Sequence, residues 1–107
     1  MIAAQPEPLH MSEAEYLVFE AESDTKHEYV NGEVYAMTGA TWNHNVINGN
    51  LQTTLNIQLA DQPCTAVSSD MRLKVASKTV SFRYPDTMVV CGEPEFATDG
   101  TNTISNP

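Results

Sequence analysis

Tyr84-Pro85-Asp86-Thr87-Met88-Val89-Val90-Cys91 is the stretch whose reading decides the fold. From Thr87 the run is apolar without alternation through Cys91, which suits a short strand covered on both faces. Proline cannot donate to a β-ladder, so Pro85 belongs at a strand entrance or a bulge. Asp86 then stands where a buried strand emerges from irregular backbone, a place from which a carboxylate can reach a metal ion. The same residues also suit a plain turn, because Pro and Asp are both favoured there. On these eight residues alone the turn reading comes first.

Upstream, Met71, Leu73 and Val75 alternate with Asp70, Arg72 and Lys74, and Ala76-Ser77-Lys78-Thr79 turns the chain. Val80, Phe82 and Tyr84 then alternate with Ser81 and Arg83. This spacing predicts a hairpin with one face on the core. Arg72, Lys74 and Arg83 fall on its polar face, with Lys78 in the turn. That face is either the surface that would meet a phosphate backbone or an ordinary solvated one. Cys64-Thr65-Ala66-Val67 reads as a further short strand. Downstream of Gly92 the chain is polar and loop-like, and Ile104 is the only apolar residue after Ala97.

Nearer the N-terminus, Ser12-Glu13-Ala14-Glu15 has the capping-box pattern and predicts a short helix ending near residues 21–24. Asn31-Gly32 supplies the positive φ angles of a two-residue hairpin turn between His27 and Met37. Glu33 opens the second strand of that hairpin, either as a solvated edge carboxylate or as an acid near a metal site. Ile47, Leu51, Leu55 and Leu59 follow at i+4 steps, the stripe of a helix over about 42–60 with Thr41 or Asn43 as its cap. His44 lies in the first turn of that helix. It reads as a hydrogen-bonded packing residue, or as a group that orients a carboxylate or approaches a phosphate.

The chain has 107 residues, of which 41% are hydrophobic, enough for one globular domain with a modest core. No apolar run approaches membrane-spanning length, so no membrane association is expected. Residues 1–10 carry two prolines, a glutamate and no basic residue, unlike a secretion signal. Residues 1–11 are expected to form a flexible arm, residues 12–107 the domain, and the location is expected to be cytoplasmic. Cys64 and Cys91 make no Cys-x-x-Cys pair and no zinc site with the three histidines. Free thiols are the first expectation for them, with a disulfide left open. Fourteen acidic residues against five basic ones give a net charge of −9. Such a chain repels DNA at long range, which counts against binding by electrostatics alone. It does not count against a small metal-dependent centre, since clustered carboxylates are how proteins hold Mg²⁺.

His27-Glu28-Tyr29-Val30-Asn31-Gly32-Glu33-Val34-Tyr35-Ala36-Met37, then His44 on a helix, Ser69-Asp70-Met71-Arg72-Leu73, and Tyr84 through Gly92 together resemble the Uma-type family of predicted endonucleases. That family has the restriction-endonuclease-like, PD-(D/E)xK fold, and the resemblance runs from about Ser12 to Pro107. It implies an α+β architecture, a mixed sheet built from hairpins with flanking helices, and a divalent metal (Mg²⁺ or Mn²⁺) held where the central strands diverge. Pro85-Asp86 matches the "PD" of the motif, so Asp86 would be the metal-binding carboxylate. Glu33 matches the acid after the hairpin glycine, a second contributor to metal and catalysis. His44 matches the helix histidine, and Asp70 an acid found in part of the family.

The "ExK" half of the motif would begin just beyond Pro107. The fold is therefore expected to be partial, lacking its C-terminal strands and helices. One carboxylate strand and one further acid make a poor Mg²⁺ site, since Mg²⁺ demands near-octahedral order. The chain is expected to be inactive alone on the DNA substrate the resemblance implies, unless a homodimer mate or a strand-donating partner completes it. The competing reading is a non-catalytic remnant or interaction module that pairs through an open sheet edge. A third is an unrelated α+β domain in which Tyr84-Pro85-Asp86 is only a turn.

Overall fold

In the computed structural model, which describes residues 8–98 and 100–107, the chain is α+β and divides into two compact units. The first comprises Met1–Gly39 with Val75–Arg83, the second Ala40–Lys74 with Tyr84–Pro107. Of the segment expected as an arm, residues 1–7 lie outside the described residues, while Leu9–His10 form a two-residue strand, β1.

The first unit holds α1 (Glu13–Glu22), β2 (His27–Val30), β3 (Glu33–Ala36) and β6 (Val80–Arg83). Both halves of the Ser12–Glu15 capping box form, and the two hydrogen bonds hold the Glu15 carboxyl below its ordinary range. Asn31 and Gly32 take φ of 48° and 85°, the turn that their sequence predicts. The register Val30↔Glu33 follows from it, and β1 and β6 add antiparallel neighbours to the hairpin. Tyr16, Tyr29, Val34 and Phe82 form the core, with Tyr16 5.0 Å from Tyr29 and 5.2 Å from Phe82 between ring centroids. Both buried phenols find acceptors, Tyr16 on the His27 carbonyl and Tyr29 on the Met11 carbonyl. Buried Glu20 is satisfied in the same way, accepting from the His27 backbone N–H at 2.7 Å.

The second unit contains α2 (Trp42–Gln58), β4 (Cys64–Ser68), β7 (Thr87–Cys91) and the parallel pair of β5 (Arg72–Ala76) with β8 (Thr103–Ile104). Strand β5 runs across the division, since Val75 and Ala76 belong to the first unit. Antiparallel hairpins and a parallel pair together make the strand set mixed, as expected. The tail is not wholly loop: Thr103 and Ile104 are buried, and Ile104 joins Met88 and Val90 in the second core. Strand β7 alternates where an even run of burial was expected. Met88 and Val90 are buried, Thr87 and Val89 are half-buried, and Cys91 is exposed. Among the described residues, no helix is long and apolar enough to cross a membrane.

Two further expectations are corrected. The α2 stripe does not face the core along its length: Ile47 is 65% exposed and Leu51 45%, while Leu55 and Leu59 are half-buried. Nor are the cysteines free. Cys64 and Cys91 are directly opposite in the β4–β7 register and are joined as a disulfide, with Cα atoms 3.9 Å apart. Their separation of 27 positions hid a pairing that the strand register creates. Closing a loop of that length stabilises by about 3–4 kcal/mol on the chain-entropy account. Reducing the protein with dithiothreitol is therefore expected to lower its urea unfolding free energy by that amount. The Cys64→Ser/Cys91→Ser variant should start from the lower value and be indifferent to reductant. Parent protein that is equally indifferent would contradict the cross-link.

Candidate functional site

Three segments of the second unit build the site: the first turns of α2, the turn between β4 and β5, and the entry to β7. Thr41 starts the helix, its hydroxyl accepting from the His44 N–H at 3.2 Å. That cap fixes His44 in the first turn. From there its Nε2 lies 3.3 Å from Asp86 Oδ1. The side chains are 28% and 46% exposed respectively, so the pair sits at a rim rather than in a core.

Asn48, one turn on, brings its amide to 3.1 Å from the same Nε2. One ring nitrogen cannot both donate to a carboxylate and accept from an amide N–H.

Asp86 and Asp70 line one open cleft of about 440 Å³. Asn45, Asn48, Gly49, Gln52 and Thr53 form its helix wall, and Ser68 and Ser69 its floor. The lining is amide, hydroxyl and carboxylate, with no Lys or Arg. Among the described residues no three of His, Cys, Asp and Glu converge as a metal-binding group.

The structure thus sets His44 beside Asp86, and Asp86 shares a cleft with Asp70. Glu33 belongs to the first unit, where its carboxylate accepts from the Tyr35 hydroxyl. That hydrogen bond, with burial and the Glu33 charge behind it, pushes the Tyr35 phenol above its ordinary range. The polar face of the second hairpin is not the free basic surface its alternation allowed. Arg72 is buried and donates from Nε to Thr103 Oγ1 at 2.8 Å, and Arg83 Nη1 lies 3.4 Å from Glu28 Oε1.

Sequence reasoning missed the helix wall. Its signal was a second i+4 series, His44, Asn48, Gln52 and Asn56, running beside the leucine stripe. It also missed Thr87, whose Oγ1 is buried with no hydrogen-bond partner among the described residues. An orphaned buried hydroxyl costs about 1–3 kcal/mol. Thr87→Val removes that hydroxyl at nearly constant shape, so chemical denaturation should show it equal to or more stable than the parent. A loss of more than about 1 kcal/mol would mean that the hydroxyl has a partner.

A family model described as "Uma2: Putative restriction endonuclease" matches residues 13–107, which spans both units and every residue of the site. The chain belongs to the Uma2 family. Two curated relatives are both from Synechocystis sp. (strain ATCC 27184 / PCC 6803 / Kazusa). "Uncharacterized protein sll1609" is 36% identical over 97 residues, covering 91% of this chain and 54% of that protein. "Uncharacterized protein slr1290" is 36% identical over 81 residues, covering 76% of this chain and 42% of that protein. The chain therefore spans about half the length of the curated relatives it matches. No solved structure matches it.

Proposed function

We propose that this chain supplies one carboxylate-bearing part of a metal-dependent DNA endonuclease centre, with Asp86 as its principal metal-facing group. The observation that carries this reading is the His44–Asp86 pair at 3.3 Å, on the rim of a cleft shared with Asp70, in a member of the Uma2 family. His44 holds the Asp86 carboxylate in one orientation. Asn48 holds His44. Asp70 lines the same cleft, where the side-chain amides can hydrogen-bond phosphate oxygens.

These residues do not complete a seat for Mg²⁺ or Mn²⁺. Mg²⁺ takes six oxygens in near-octahedral order, drawn from one or two carboxylates, waters and substrate phosphate. Two carboxylates on an open cleft meet only the carboxylate share of that demand. Glu33 belongs to the first unit and has no part in this proposal. The remaining ligands, and any lysine that acts on the attacking water, would come from polypeptide outside this chain. A cytoplasmic location is part of the same proposal, since the substrate is DNA. The absence of a basic residue from the cleft lining equally favours a second reading, a non-catalytic interaction module.

Mn²⁺ titration followed by NMR separates them. Paramagnetic broadening is expected first at the amides of residues 68–70 and 86–88, and it should vanish in Asp86→Asn. Supercoiled plasmid should stay intact with the chain alone in either metal. Broadening that starts elsewhere, or none at all, would overturn the metal assignment.

A further inference from the structure

The second unit is assembled from two separate pieces of chain, Ala40–Lys74 and Tyr84–Pro107, because Val75–Arg83 belongs to the first unit. The cleft is divided in the same way. His44, Asp70 and the helix wall come from the first piece, and Asp86 comes from the second. What sets Asp86 beside His44 is therefore the pairing of β4, from one piece, with β7, from the other. No tight turn joins these strands, so turn geometry does not fix their register.

The chain's two cysteines span that division. Cys64 lies in the first piece and Cys91 in the second, so their disulfide bonds the pieces directly. The backbone joins them only by way of residues 75–83. Cys64↔Cys91 is the last pair at one end of the ribbon, and Ser68↔Thr87, at the other end, adjoins Asp86 and the cleft floor. Two strands of five residues each are marginal in water as a pair, and Met88 and Val90 packing with Ile104 supply the rest of the hold. The cross-link thus bears on whether the two halves of the site stay together.

That cross-link is also within reach of a reagent. Cys91 is exposed and Cys64 half-buried, and exposed disulfides are the labile ones, open to exchange with thiols in solution.

We propose that Cys64–Cys91 is a redox switch on the cleft, opened by a thiol reductant attacking at Cys91. The reductant's thiolate bonds to Cys91 Sγ as the Cys64–Cys91 bond breaks, and Cys64 leaves as a thiolate that takes up a proton. A second reductant thiolate attacks the reductant sulfur of this mixed disulfide and frees Cys91, which is protonated in turn. The chain gains two electrons and two protons, and two thiols become one disulfide. Opening loosens the β4–β7 pairing and with it the apposition of Asp86 to His44. What the switch controls rests on the cleft being a metal-dependent centre, whereas the opening itself does not.

Native-state hydrogen exchange in a glutathione redox buffer tests this, with free thiols counted by alkylation and mass spectrometry. About a hundredfold excess of reduced over oxidised glutathione should open the bond, and oxidised glutathione should close it again. On opening, the amides of Thr65, Val67, Met88 and Val90, which face across the ribbon, should exchange about a hundredfold faster. The β2–β3 hairpin should keep its rates. Cys64→Ser/Cys91→Ser should match the reduced parent in both buffers, and the parent, folded oxidised and reduced in place, carries the test if that variant folds poorly. A bond that stays closed, or ribbon exchange that ignores its opening, would overturn the proposal. Mn²⁺ separates it from the metal reading. Redox-dependent exchange without broadening in either state removes the metal and leaves the switch, while equal broadening near Asp86 in both states leaves the metal and overturns the switch.

Discussion

The second unit depends on how one strand edge is closed. Strands β4 and β7 form a two-stranded ribbon, and a ribbon leaves backbone donors and acceptors unpaired along its outer sides. Ala66 sits in the middle of β4 and is buried, so both its backbone groups need partners. Gln52 Nε2 donates to the Ala66 carbonyl at 2.9 Å, and the Ala66 N–H donates to Asn56 Oδ1 at 3.3 Å. Two amide side chains one helical turn apart thus stand in for a missing strand. Alanine is the residue that lets them come so close. The ladder agrees: residues whose N–H and C=O both point away from the partner strand occupy the positions of shorter Cα separation. Cys64 has the same parity as Ala66 and stands directly opposite Cys91, so the two side chains share one face, as their disulfide requires.

This clamp sets the rotation of α2, and two consequences follow from one geometry. The polar i+4 series that reaches Ala66 through Gln52 and Asn56 continues back to Asn48 and His44. His44 therefore arrives beside Asp86, and the helix wall of the cleft is made of amides. Trp42, Val46, Ile47, Leu51 and Ile57 are left exposed, while Leu55 and Leu59 stay half-buried. A helix docked by its leucines would have hidden Ile47 and Leu51 and pointed His44 elsewhere. The polar docking face and the exposed apolar face are two views of the same choice.

Local chemistry was legible in the sequence wherever it decides the outcome by itself. Asn31-Gly32 and the Ser12–Glu15 box are each settled by a few adjacent residues and formed as read, and of the two caps offered for α2 the structure uses Thr41. The strand after Asp86 was legible from its apolar run, although Tyr84-Pro85-Asp86 by themselves put a plain turn first. Features that need a partner distant in the chain were not. The disulfide required knowing that β4 faces β7. The orientation of α2 required knowing that a ribbon edge would compete for the helix, since leucines at i+4 ordinarily win that competition. The buried arginine at 72 required knowing that Thr103 would return to pair beside β5. Alternation assigned Arg72 to a solvated face, and the tail made that face an interior one.

The central claim is that amide side chains of α2 close the outer edge of β4 and so aim the helix. Native-state hydrogen exchange at the Ala66 amide measures this directly. The account predicts that Ala66 is protected in the parent although it bonds no strand, and that Asn56→Ala raises its exchange rate tenfold or more while the amides bonded between β4 and β7 are little changed. An Ala66 amide that exchanges equally fast in the parent and the variant would contradict it.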